Sequence, residues 1–191
     1  RDALRRALAA DEGHTRSRYL LAGIFAALGE RARALEEYQR VVKEDPELEE
    51  AYVHISTLYA EQGDFPKAEE TLGILIGKNP DSFLAYYYRG RIQAAQKKYE
   101  VALGDYDKAL ALAPGFDAAL LESGAVLEIL DRNTEAEERY KKALHASPNN
   151  PFIRERLGRV LIREKKIDQA GGQYEEMKKF FPSYLDFRTK L

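Results

Sequence analysis

The chain has 191 residues, 45% hydrophobic and 32% charged, with 13 Gly and 7 Pro, the make-up of an ordinary folded chain rather than a disordered or fibrous one. Thirty Lys and Arg against 32 Asp and Glu leave a formal charge of -2, so no global field gathers nucleic acid or an anionic membrane. The absence of Cys excludes a disulfide frame, a thiol nucleophile and a zinc ribbon, and the longest nearly apolar stretch, Tyr19 to Leu28, is about half of a bilayer span.

Pro recurs at 46, 80, 114, 148 and 182, always 34 residues from the last. The same period carries Ala34, Ala68, Ala102, Ala136 and Ala170. It also carries the small residues Ala22, Ser56, Gly90, Gly124 and Gly158. Two bulky series follow it: Tyr38, Leu72, Tyr106, Tyr140, Tyr174 and Ile24, Leu58, Ile92, Val126, Val160. These are expected core positions, with the small pairs marking close backbone approach. The series define units at 15–48, 49–82, 83–116, 117–150 and 151–184. In the second unit Tyr52, Ile55, Leu58 and Tyr59 show helical spacing and stop at Gln62-Gly63-Asp64. A second amphipathic run then goes from Phe65 to Lys78 until Asn79-Pro80-Asp81 ends it. Each unit is therefore predicted to be an antiparallel helical hairpin. Residues 1–12 read as the second helix of a preceding unit, since Leu4, Ala7 and Leu8 stand 34 before Tyr38, Val41 and Val42, and 185–191 read as the start of a following helix. Together with an initial Arg, a single Met (Met177) and no apolar leader, these ends suggest a piece of a longer protein, which hides its localisation.

A lone hairpin exposes too much apolar surface to fold by itself, so the units are expected to stack into a one-dimensional superhelix. The 34-residue period, the early aromatic of the first helix (Tyr52, Tyr86), the small residue four on, the Ala of the second helix, the aromatic four later and the closing Pro resemble the tetratricopeptide repeat (TPR) family over 15–184. The resemblance implies an all-α, alpha-alpha superhelix (TPR solenoid) of antiparallel helix pairs. Departures are Arg18 and Arg154 in place of the early aromatic, and Arg89 and Ser123 at a site that is usually apolar. Both suggest looser interfaces. Gly171-Gly172 inside the last second helix suggests fraying, a bend or a close partner backbone.

Catalytic signatures are missing: there is no HExxH, GxSxG or GxGxxG, and Gly77-Lys78 lacks the upstream glycine of a phosphate loop. The sequence reading is of no enzyme, no cofactor and no metal, because His14, His54 and His145 differ in phase. Carboxylates such as Glu69-Glu70 and Glu135 to Glu138 are expected on solvated helix faces, with Glu137 pairing to Lys141 and Glu138 to Lys142 at i,i+4. Charge is uneven along the chain: -5 over 49–82, +2 over 83–116, -3 over 117–150 and +4 over 151–191. This either orients a partner or is drift on a solvated surface.

The resemblance also implies that first helices line a concave groove. The residues it places there include Tyr19, Val53, His54, Thr57, Tyr87, Tyr88, Arg91, Leu121, Glu122, Arg156 and Arg159, with Arg16, Leu20, Glu50, Phe152 and Glu155 beside them. Tyr87 and Tyr88 with Arg91 form the best anchor, since Tyr and Arg dominate interface energetics, whereas Tyr86 is expected in the core. The Lys/Asn/Arg clamp of chaperone-tail TPR domains and the asparagine ladder of sugar-transferase arrays are both missing. The leading reading is a non-catalytic protein-interaction scaffold that binds a peptide or helix of a partner protein, without nucleic acid or a membrane span. Family analogy with bacterial arrays points to an envelope, pilus, secretion or export assembly. Two alternatives are a homo-oligomer that assembles through the array ends and a regulatory or recruiting arm of a larger enzyme.

Overall fold

Proline closes the second helix of a hairpin because it disfavours helical backbone in the residue before it. The computed structural model describes residues 15–180, and every regular element among them is a helix. In chain order these are α1 Thr15–Ala27, α2 Arg31–Glu44, α3 Glu49–Glu61, α4 Phe65–Lys78, α5 Phe83–Ala95, α6 Tyr99–Leu112, α7 Asp117–Ile129, α8 Asn133–Ala146, α9 Pro151–Arg163 and α10 Ile167–Phe180. Helices α2, α4, α6 and α8 all stop two residues short of Pro46, Pro80, Pro114 and Pro148. The helices expected at 1–12 and 185–191 lie outside the described residues.

The turn inside each hairpin has a shared backbone device. Gly29 and Gly63 take φ of 74° and 79°, and Lys97, Asp131 and Lys165 take φ of 61°, 57° and 60° at the equivalent place. A left-handed residue reverses the chain after a helix C-terminus and lets the final carbonyls find donors. Glycine does this without strain, whereas the two lysines and the aspartate carry a cost of about 1–2 kcal/mol.

The chain divides into two compact units, residues 1–92 and 93–191. In the first, Leu21 and Phe25 of α1, Tyr38 and Val41 of α2 and Ala51, Ile55 and Leu58 of α3 make one core. Val53 with Ala68, Leu72 and Ile92, and Tyr52 with Leu75 and Ala85, make two more. In the second unit α7 packs on α8, and α9 packs on both α8 and α10. Its buried residues include Tyr106, Leu120, Leu127, Tyr140, Ile153, Leu157, Leu161 and Met177.

The Ala series from Ala34 to Ala170 is buried throughout, as are Tyr38, Leu72, Tyr106 and Tyr140. Tyr174 and Ile24 depart from the core expectation, each being 38% exposed. They lie on the last and first described helices, where no further described hairpin covers them. The arginines that replace the early aromatic make polar contacts of their own. Tyr52 donates its hydroxyl to the Pro46 carbonyl (3.2 Å), and Arg154 donates Nη2 to the Pro148 carbonyl (3.0 Å), so the same bond persists with a different donor. Arg18 instead reaches Glu37 and Glu44 of the following helix, both at 2.9 Å. Ser123 is buried, with its hydroxyl bonded to the Leu120 carbonyl.

Helix α10 runs unbroken through Gly171-Gly172, and nothing stands within 4 Å of a Cβ placed on either. Gly124 is the opposite case, since a Cβ there would sit 2.6 Å from Tyr140 Cε1. Gly124→Ala is therefore expected to destabilise: overpacking costs about 1–3 kcal/mol against the ~1 kcal/mol that Ala contributes to a helix interior. Gly171→Ala should shift the urea midpoint the other way. Equal shifts in circular-dichroism melts of the two variants would show that the close approach at Gly124 is not sterically limiting.

Candidate functional site

Three successive first helices, α1, α3 and α5, run in one direction through the first unit because each is followed by a tight reversal. Residues 34 apart then share a phase on them, which lines up Leu20, His54 and Tyr88, and Gly23, Thr57 and Arg91. Tyr19 places its hydroxyl 3.0 Å from His54 Nε2. The His54 ring stacks on Tyr38 at 4.9 Å and 15°, and Tyr19 meets Tyr38 edge-on at 5.6 Å. Burial pushes the Tyr38 hydroxyl up to about 12, with Tyr19 adding to it. Burial also lowers the pKa of His54 against the opposing pull of Glu50, which favours the neutral ring as the partner of the Tyr19 hydroxyl. Beside this trio a cavity of about 470 Å³ opens, lined by Thr15, Arg16, Tyr19, Leu20, Asp45, Leu48 and Glu50.

Helix α5 supplies the aromatic centre. Tyr87 and Tyr88 meet edge-on at 5.0 Å, and the Arg91 guanidinium lies over both rings, at 5.7 and 5.5 Å. Two of the expected groove residues are corrected here. Val53 and Tyr87, one repeat apart, are each only 7% exposed. Val53 packs with Ala68, Leu72 and Ile92, and Tyr87 is covered by Tyr88 and Arg91. Tyr86, expected in the core, is half-buried under Arg89, whose guanidinium stands 5.5 Å from its ring. Thr57 spends its hydroxyl on the Val53 carbonyl (2.9 Å). His54 and Arg91 stay exposed and Tyr19 and Tyr88 half-buried, so these four carry the open face.

The second unit holds a different site. Glu128 of α7, with its side chain 6% exposed, accepts the Tyr140 hydroxyl at 2.6 Å, Arg156 Nη1 at 3.3 Å and Arg163 Nη1 at 3.1 Å. Burial, then the bond to Glu128, raises the Tyr140 pKa, so the phenol is a firm donor. Arg159 lies between the two paired arginines. Its Nε is shielded from solvent and has no hydrogen-bond partner among the described residues. Leu121 and Glu122 are half-buried on α7.

Sequence reasoning placed Arg156 and Arg159 in the groove and Tyr140 in the core, but missed Glu128 and Arg163 and the bonds that join them. The available signal was a lone charge inside Val126-Leu127-Glu128-Ile129-Leu130, since a carboxylate amid apolar residues implies buried partners. It also placed the Glu137 carboxylate in solvent, whereas Glu137 is buried and bonded to Lys141 and to Lys166 of the next hairpin, the latter at 2.6 Å. Among the described residues no group of three His, Asp or Glu side chains is placed to hold a metal ion. Among the described residues no helix is long and apolar enough to cross a membrane.

Comparison with known proteins converges on one architecture. A tetratricopeptide repeat family model matches residues 1–49 and 55–117. The chain is 31% identical over 123 residues to the uncharacterized protein ycf37 of Cyanophora paradoxa, covering 62% of this chain and 72% of that one. It is 31% identical over 101 residues to DnaJ homolog subfamily C member 3 of Mus musculus, covering 49% of this chain and only 20% of the mouse protein. Among solved structures it is similar to YrrB, described as a TPR protein with an unusual peptide-binding site, with a TM-score of 0.67 at 16% identity over 99% of this chain and 98% of that one.

Proposed function

We propose, for a chain that belongs to the tetratricopeptide repeat family, that the open face of α1, α3 and α5 binds a peptide or helix of a partner protein and performs no chemistry on it. The observation that carries this is Arg91. It is an exposed guanidinium held over two tyrosine rings, and no described residue forms an ion pair with it. A cation stacked on aromatic faces is held in place before a ligand arrives, which lowers the entropy lost on binding. Tyr88 and His54 extend the platform with rings that are open on one side and packed on the other, the form of side chain that adds contact area at low conformational cost. The peptide-binding description of YrrB supports the same reading by likeness of fold. A groove with mixed aromatic and cationic walls suits an extended segment or one face of an amphipathic helix.

The test uses peptides selected from a random phage-displayed library on the full chain and then titrated by calorimetry. Arg91→Ala removes no core side chain, although it uncovers part of the Tyr87 ring, and should weaken the selected peptides about tenfold, which is ~1.4 kcal/mol. Tyr88→Ala should cost at least as much. Unchanged affinity in both variants, with unchanged helicity, would overturn the assignment of this face. Tyr87→Ala is a poor probe, because Tyr87 is buried and its loss reports packing.

A further inference from the structure

The geometry points to an anion-receiving site in the second unit, where Arg159, flanked by Arg156 and Arg163, takes a side-chain carboxylate from an extended acidic peptide segment of the partner. This rests on the reading of the chain as a peptide-binding TPR module but concerns other residues, those of α9, and a defined ligand chemistry. Glu128 is already committed to Tyr140, Arg156 and Arg163. Arg159 is left over. It has no ion pair with any described residue, and its Nε is withdrawn from water without an acceptor. The Nη donors are not withdrawn in this way and no described residue bonds them, so they meet an incoming carboxylate while the buried Nε fixes the direction of the fork. The Glu128 network holds the Arg156 and Arg163 guanidiniums in place.

The same face selects the kind of anion. Glu128 of α7 already lies against Arg156 and Arg163, so a doubly charged phosphate meets a fixed carboxylate beside the arginines, whereas a singly charged carboxylate matches the guanidinium fork with less repulsion. Phe152, 49% exposed, precedes Arg159 by seven residues on α9, and Arg156 and Arg163 share its side of the helix at i+4 and i+11. Seven residues of helix rise by about 10.5 Å, the length of roughly three residues of extended chain. The segment recognised is therefore one with an acidic and an aromatic or aliphatic residue three apart.

Fluorescein-labelled twelve-residue peptides of Ser and Ala, with one Glu and one Phe three positions apart in either order, are titrated into the full chain by fluorescence polarisation. At least one order is expected to bind, about tenfold more tightly than its Glu-to-Gln counterpart, and the advantage should shrink between 50 and 500 mM NaCl. Arg159→Gln should remove that tenfold advantage without changing the affinity for the Gln peptide, and Arg159→Lys should restore part of it. Arg91→Ala, on the first unit, should leave it intact. If the Glu and Gln peptides bind equally and Phe152→Ala weakens both, the carboxylate assignment falls while groove binding stands. Absence of binding by either order, or tighter binding of a phosphoserine peptide than of the Glu peptide, also overturns it. The peptides selected on Arg91 judge the wider reading independently.

Discussion

Replacing Tyr140 with Ala should lower the unfolding free energy of the second unit by about 3–5 kcal/mol, the range for truncating a large buried aromatic. The ring is fully buried and lies directly against Gly124, so the vacated volume is bordered on one side by a residue with no side chain to move into it. The hydroxyl is a smaller part of the loss. Tyr140→Phe keeps the ring, and Glu128 retains Arg156 and Arg163, so that variant should cost about 1.5–3 kcal/mol, the range for a hydrogen bond to a charged group. Urea denaturation of the full chain followed by circular dichroism measures both, and amide exchange should place the weakening in α7, α8 and α9. A loss below about 1 kcal/mol for Tyr140→Ala would mean that the hairpins close over the gap.

Tyr140 also marks how far the sequence can be read. Its burial follows from the repeat, because any residue at that phase meets the small residue of its own first helix, and Tyr38 and Tyr106 are buried for the same reason. Helix ends were readable through proline, and the first-unit turns through glycine. The equivalent turns at Lys97, Asp131 and Lys165 were not, since nothing in those residue types announces a positive φ. Neighbouring residues on one helix differ by about 100°, and that is how Tyr86 and Tyr87 exchanged expected places. The candidate sites were less legible than the fold. Glu128 joins Arg163 across 35 residues, and Glu137 joins Lys166 across 29. Neither distance is the repeat period, so each pairing depends on side-chain reach within a stacked pair, which periodicity does not encode. Local i,i+4 reasoning found Lys141 as a partner of Glu137 but had no access to the second lysine that comes from another hairpin and helps to bury the carboxylate.

That buried carboxylate makes the second large effect a matter of pH. Burial alone pushes the Glu137 carboxyl up, but the Lys141 and Lys166 ammoniums that donate to it outweigh burial and hold the group at about 2 instead of 4.5. Lys166 also bonds Glu164 at 2.8 Å, and Glu164 accepts the Thr134 hydroxyl at 2.7 Å, so the carboxylate sits inside a network that its protonation would break. Between those two pH values the unfolded chain binds a proton at Glu137 that the folded chain does not, so stability rises with pH across the window. The contribution is complete above pH 4.5 and disappears as the pH falls through 2. Glu137→Gln removes this titration while keeping the shape, and it places the two lysines in the situation that wild type reaches in acid. The difference in unfolding free energy between wild type and Glu137→Gln should therefore be on the order of 2–3 kcal/mol at pH 6 and shrink towards zero by pH 2. Carboxylates outside this network titrate in both proteins and cancel in the difference, and Glu164, which shares Lys166 with Glu137, is the one whose titration the substitution also alters. A gap that stays constant from pH 6 to pH 2 in paired denaturant titrations would show that the lysines stabilise Glu137 no more in the folded chain than water does in the unfolded one.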